Sequence, residues 1–145
     1  MTKYDFIINI ILTIYLLIST RSDIRTYTVS LRFSAIVAII LIIIRIILNM
    51  SDLPDILLSL LPGIILLTIS LITRQSIGYG DGIVFMTTGA GVGSEYIVLL
   101  VFISFVLSSV YALFLITKRK SGKTAIPFVP FILSGFILTN LIKIL

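Results

Sequence analysis

Five apolar runs, each close to the length of a membrane crossing, leave this chain little choice of fold. They lie at roughly Tyr4 to Thr20, Val29 to Asn49, Pro54 to Thr73, Tyr96 to Thr117 and Ala125 to Leu145, and a helical span needs about 20 apolar residues. Hydrophobic residues make up 59% of the 145, far more than a water-soluble domain carries. The sequence therefore predicts an integral membrane protein. The first run follows Lys3 and could be mistaken for a signal peptide. It has no small-residue cleavage site and leads into Arg21-Ser22-Asp23, so it is read as a true span.

Charge sets the expected orientation. Lys and Arg are enriched in cytoplasmic loops, which places Arg21, Arg25, Arg32, Arg74 and the Lys118, Arg119, Lys120, Lys123 cluster inside. Asp5, Asp52, Asp55 and Glu95 then collect outside, together with both termini. The scheme is consistent only if a shorter apolar run, Gly82 to Gly93, also crosses, because otherwise the Lys118 to Lys123 cluster falls on the wrong side. The expectation is an all-α membrane protein: a bundle of about six transmembrane helices with a short fourth helix. That short run provides only about 18 Å of helix, against a hydrocarbon core of about 30 Å. Residues Ser76 to Asp81 are therefore expected to dip into the membrane as irregular backbone. The small residues Gly89, Ala90, Gly91 and Gly93 would let the short helix pack closely at the centre. Arg45, near the outer end of the second span, is expected to snorkel to the headgroups. Pro127 and Pro130 are expected to loosen the first turn of the last span. No repeat, low-complexity tract or soluble linker is visible, so residues 1–145 form one transmembrane domain.

The chain contains no cysteine and no histidine. Disulfides, thiolate zinc sites, histidine-ligated metals and Cys/His or Ser/His nucleophilic pairs are thereby excluded within it. No metal or cofactor is expected. The net charge of +5 is spread over short loops between spans, so it orients the chain in the bilayer and gives no reason to expect nucleic acid.

Carboxylates are the strongest remaining candidates for chemistry, and only Asp23 and Asp81 fall on the cytoplasmic side. Asp81 closes the run Gly78-Tyr79-Gly80-Asp81 at the start of an apolar helix, where it could serve simply as an N-terminal cap. Asp23 lies between Arg21 and Arg25, where an acid is commonly part of a surface ion pair. Taken together, two acids at one end of a small bundle can meet. Paired carboxylates cannot both ionise easily and share a proton. One then draws a proton from water while the other protonates the carbonyl under attack. The helix dipole favours ionised Asp81, and Arg21 and Arg25 favour ionised Asp23, so sequence leaves the assignment open.

At these residues the chain resembles the GxGD aspartyl proteases, and among them the type IV prepilin peptidases and archaeal preflagellin peptidases. Gly78-Tyr79-Gly80-Asp81, followed by Gly82, Gly89 and Gly93, resembles the second catalytic motif. Asp23-Ile24-Arg25 resembles the first, and Ile126-Pro127-Phe128-Val129-Pro130-Phe131 is similar to an Ile-Pro-Phe-x-Pro-Phe run of that family. The chain departs from many members at Ile83, where they carry lysine, and at Val29-Ser30-Leu31, where they carry Ile-Pro-Asn. The resemblance implies catalytic Asp23 and Asp81, with Gly78, Gly80 and Gly82 positioning the second. It also implies a plasma-membrane endopeptidase whose site faces the cytoplasm and removes the short basic leader of pilin-like or pseudopilin precursors. With neither length nor cysteines for an amino-terminal methylating domain, a peptidase-only protein is expected. The alternatives from other classes are a small proton- or cation-coupled transporter or channel subunit and a non-catalytic membrane assembly subunit. A scaffold should tolerate asparagine at position 23 or 81, whereas a protease should not.

Overall fold

The apolar runs fold as helices, and local chemistry at their ends fixes where each stops. The computed structural model describes residues 3–73, 78–117 and 126–144 and contains α1 (Lys3–Thr26), α2 (Leu31–Ile47), α3 (Leu53–Ile72), α4 (Tyr79–Val92), α5 (Ser94–Thr117) and α6 (Val129–Ile144). All regular structure among the described residues is helical. At the end of α1, Tyr27 takes a positive φ of 53° and its N–H returns to the Asp23 carbonyl at 2.9 Å, a left-handed stop that satisfies one of the last free carbonyls. Ser30 then caps α2, accepting the Phe33 N–H at 3.4 Å. Pro54 occupies the first turn of α3, where its missing N–H costs nothing. Gly93, with φ of 89°, is the single residue between α4 and α5.

Two boundaries differ from the sequence expectation. Helix α1 runs beyond Thr20 to Thr26 and carries Asp23 in its last turn. Helix α4 begins at Tyr79, so Tyr79-Gly80-Asp81 is its first turn rather than irregular backbone. The first N–H groups of a helix need no acceptor from within it, so a glycine and an acid are well accommodated there. Ser76, like Arg74 and the Lys118 to Lys123 cluster, lies outside the described residues.

Three helices, Asp5–Thr26, Leu53–Ile72 and Ser94–Thr117, are long and apolar enough to cross a membrane. The protein is thus an all-α membrane protein. Helices α2, α4 and α6 have 17, 14 and 16 residues, short of the usual length of about 20. The fourth helix is the shortest of the six, as expected, and it is the hub: α1, α2, α3, α5 and α6 all pack against it. Small residues permit this. A Cβ on Gly89 would fall on the Ser59 carbonyl oxygen of α3, and one on Gly82 would lie 2.9 Å from the Leu67 backbone nitrogen. Around α4 the core closes with Leu12, Leu16, Leu41, Phe85, Ile97 and Ile132, all buried.

Arg45 does not snorkel. It is 6% exposed, donates to Asp55 at 2.5 Å and donates to the Ala90 carbonyl at 3.2 Å in the last turn of α4. Asp55 also accepts from the Ser94 hydroxyl and from the Ser94 N–H at 3.2 Å. One ion pair therefore ties together α2, α3, the end of α4 and the start of α5. The guanidinium turns inward because it finds there both a carboxylate and the unsatisfied carbonyls of a helix C-terminus. Nearby, Lys143 reaches Asp5 at 3.8 Å and lies over the Tyr96 ring at 4.8 Å. Arg45→Leu leaves Asp55 without its cation in a half-buried position and should lower stability by about 2 kcal/mol, read as a drop in melting temperature in detergent.

Candidate active site

The opposite end of the bundle holds the other two acids. Asp23 is 6% exposed, and its carboxylate Oδ2 accepts the Val129 N–H at 3.0 Å across 106 residues of chain. Phe128 is the N-cap of α6, because its carbonyl accepts the first helical bonds from Phe131, at 2.9 Å, and Ile132. Asp23 of α1 therefore caps the start of α6, where free N–H groups and the helix dipole favour an anion. Pro127 and Pro130 frame this start.

Arg21 and Arg25 do not pair with Asp23. Both are exposed, since positions two residues away on a helix point about 200° apart. The expected surface ion pair is thus replaced by a buried cap.

Asp81 occupies the third position of α4, and its N–H donates to the Gly78 carbonyl at 3.1 Å. Its carboxylate curls back over Gly78, where an added Cβ would lie 2.8 Å from Oδ2. Gly80 meets the connection between α1 and α2, with an added Cβ 3.2 Å from Val29 Cγ2, and Gly82 meets Leu67 of α3. The three glycines of the motif thus have distinct neighbours. Gly78 makes room for the carboxylate, Gly80 lets the α1–α2 connection approach at Val29, and Gly82 seats the helix on α3.

These contacts bring the pair together. With Gly80 against Val29 and Phe85 against Phe128, the starts of α4 and α6 stand at one end of the bundle, and both acids stand there with them. Phe85, one turn beyond Asp81, packs on Phe128 with ring centroids 5.9 Å apart, and Phe105 closes the cluster at 5.2 Å from Phe128. The helix carrying one aspartate is thereby wedged against the backbone that holds the other. Below them, the Tyr15 hydroxyl and Ser34 Oγ are 2.8 Å apart, and Thr87 donates to the Ser34 carbonyl at 3.3 Å. This buried network joins α1, α2 and α4 beneath the pair. No three metal-ligating side chains converge among the described residues.

The sequence singles out both aspartates and the glycines as candidates but gives no sign of the backbone donor to Asp23. The Pro127-x-x-Pro130 spacing marks a helix start, yet nothing in it says which acid that start receives. The Tyr15 network was equally hidden, because a tyrosine and a serine in apolar runs carry no signal of their pairing. Gly78→Ala forces the Asp81 carboxylate to move. It should lower the turnover of any reaction the pair performs by about tenfold while leaving the melting temperature almost unchanged.

Known proteins narrow the reading. The family model described as the type IV leader peptidase family matches residues 10–113, a segment that begins in α1, contains both aspartates and ends in α5. No curated protein and no solved structure matches the chain.

Proposed function

This chain belongs to the type IV leader peptidase family, and from that premise we propose that it is a membrane aspartyl endopeptidase acting through Asp23 and Asp81. Membership makes it a peptidase. The observation that carries the finer reading is that the two acids, 58 positions apart in sequence, stand at one end of the bundle. The substrate is a pilin-like or pseudopilin precursor with a short basic leader and an apolar helix. Its helix lies along the bundle, and the leader boundary comes to the membrane surface beside the pair.

Two carboxylates sharing one proton supply both halves of peptide hydrolysis. The ionised member takes a proton from water as its oxygen attacks the peptide carbonyl, and the protonated member donates to the carbonyl oxygen. In this reading all six helices cross the bilayer. Helix α4 does so although short because its partners bury most of its surface, α2 and α6 present apolar residues outward, and the basic connections set the aspartate end toward the cytoplasm. The bundle geometry is compatible with this, because Asp5, Asp52, Asp55 and Glu95 all line one cavity at the far end.

The test is co-expression with a pilin-like precursor, followed by the size shift that loss of the leader produces on a gel. Cleavage by the wild type at the leader boundary supports the substrate class. Persistence of full-length precursors across a panel of pilin-like and pseudopilin substrates would remove it.

A further inference from the structure

We infer that the start of α6 holds Asp23 in its ionised form, which makes Asp23 the base that activates water and Asp81 the acid that protonates the peptide carbonyl. The inference rests on the aspartate pair proposed above and assigns the two roles within it. Both acids stand at helix N-termini, so the dipole alone does not separate them. Direct hydrogen bonding does. The Asp23 carboxylate accepts the Val129 N–H at 3.0 Å, a donor that stabilises the charged acceptor more than the neutral one. Among the described residues, no hydrogen bond reaches the Asp81 carboxylate, and the N-cap of its own helix makes no side-chain bond. Asp81 therefore keeps the shared proton.

The donor is also rigidly placed. Val129 is fully buried, and the Phe128 ring is held by Phe85, Phe105 and Phe131. The Pro-Phe-Val-Pro segment is thus a positioning element for the reaction, acting through backbone rather than side chains. In the attack step a water proton passes to Asp23, the water oxygen bonds to the carbonyl carbon, and the Asp81 proton passes to the carbonyl oxygen. In collapse the Asp23 proton moves to the departing amine nitrogen and the C–N bond breaks. A hydroxyl proton of the intermediate then returns to Asp81, which restores the starting state.

Val129 is the first residue of α6, a position where proline fits a helix and removes only an N–H. Val129→Pro deletes the donor to Asp23, and Val129→Ala, which keeps it, is the reference. Relative to Val129→Ala, Val129→Pro should lower kcat by about 10- to 100-fold with KM little changed, since one hydrogen bond to a charged group is lost. Equal kcat values in the two variants would overturn the assignment. A second measurement leaves α6 untouched. Infrared spectra at neutral pH should show a protonated carboxylic acid band in the wild type that disappears in Asp81→Asn. A band that survives in Asp81→Asn, or is absent from the wild type, would overturn the assignment whatever the cleavage assay gives. If Asp23→Asn and Asp81→Asn are both inactive while these two tests fail, only the division of roles is wrong. If either asparagine variant still cleaves, the aspartate pair itself is wrong.

Discussion

Asp23→Asn and Asp81→Asn, made singly, should each reduce cleavage of a pilin-like precursor by about 10²- to 10⁴-fold, the usual contribution of a positioned acid or base. Asparagine has nearly the shape of aspartate. At position 23 its side-chain oxygen can still accept the Val129 N–H, so the start of α6 should keep its partner and the protein should still insert. What asparagine cannot do is take or give the proton that the pair passes between water and peptide. The comparison that gives the result meaning is Arg21→Gln. Arg21 is exposed and makes no ion pair with Asp23, so removing its charge should leave turnover within about twofold, as for most surface changes. Loss of activity in both asparagine variants with retained membrane insertion and unchanged melting would establish two separate proton carriers. Activity surviving in either would return the chain to the question of what its family membership means chemically.

The largest expected loss of stability comes from one added methyl group. Gly89→Ala places a Cβ on the Ser59 carbonyl oxygen, a backbone atom of α3 that cannot swing aside. Helices α3 and α4 would have to separate along a contact that includes Gly63, Gly82 and Met86. Overpacking of this kind should cost about 3 kcal/mol. Gly91→Ala is the informative comparison, because its Cβ would meet the Leu12 side chain, with the nearest atom Cδ1 at 2.7 Å. A side-chain end can change rotamer where a carbonyl cannot, so its cost should be about 1 kcal/mol. Melting in detergent should therefore rank wild type above Gly91→Ala and Gly91→Ala well above Gly89→Ala. Equal melting of the two variants would show that the α3 to α4 contact yields more easily than its geometry implies.

The sequence by itself determined a good deal. Apolar length made the chain helical and membrane-bound, because a run of about 20 hydrophobic residues has few other homes. The glycines of the fourth segment announced close packing, since only small residues let two helix backbones approach. The sparse acids made Asp23 and Asp81 candidates, because an apolar chain can place only a few ionisable groups within its spans. Tertiary structure alone decided the partners. Arg45 reads as a cation near a headgroup until folding brings Asp55 and the end of α4 to it. Asp23 reads as one acid between two arginines until the start of α6, 106 residues away, supplies the Val129 N–H. In both cases the partners include a backbone group at a helix terminus. Every residue type carries the same backbone, so no side-chain pattern can mark which terminus an ionisable group will meet.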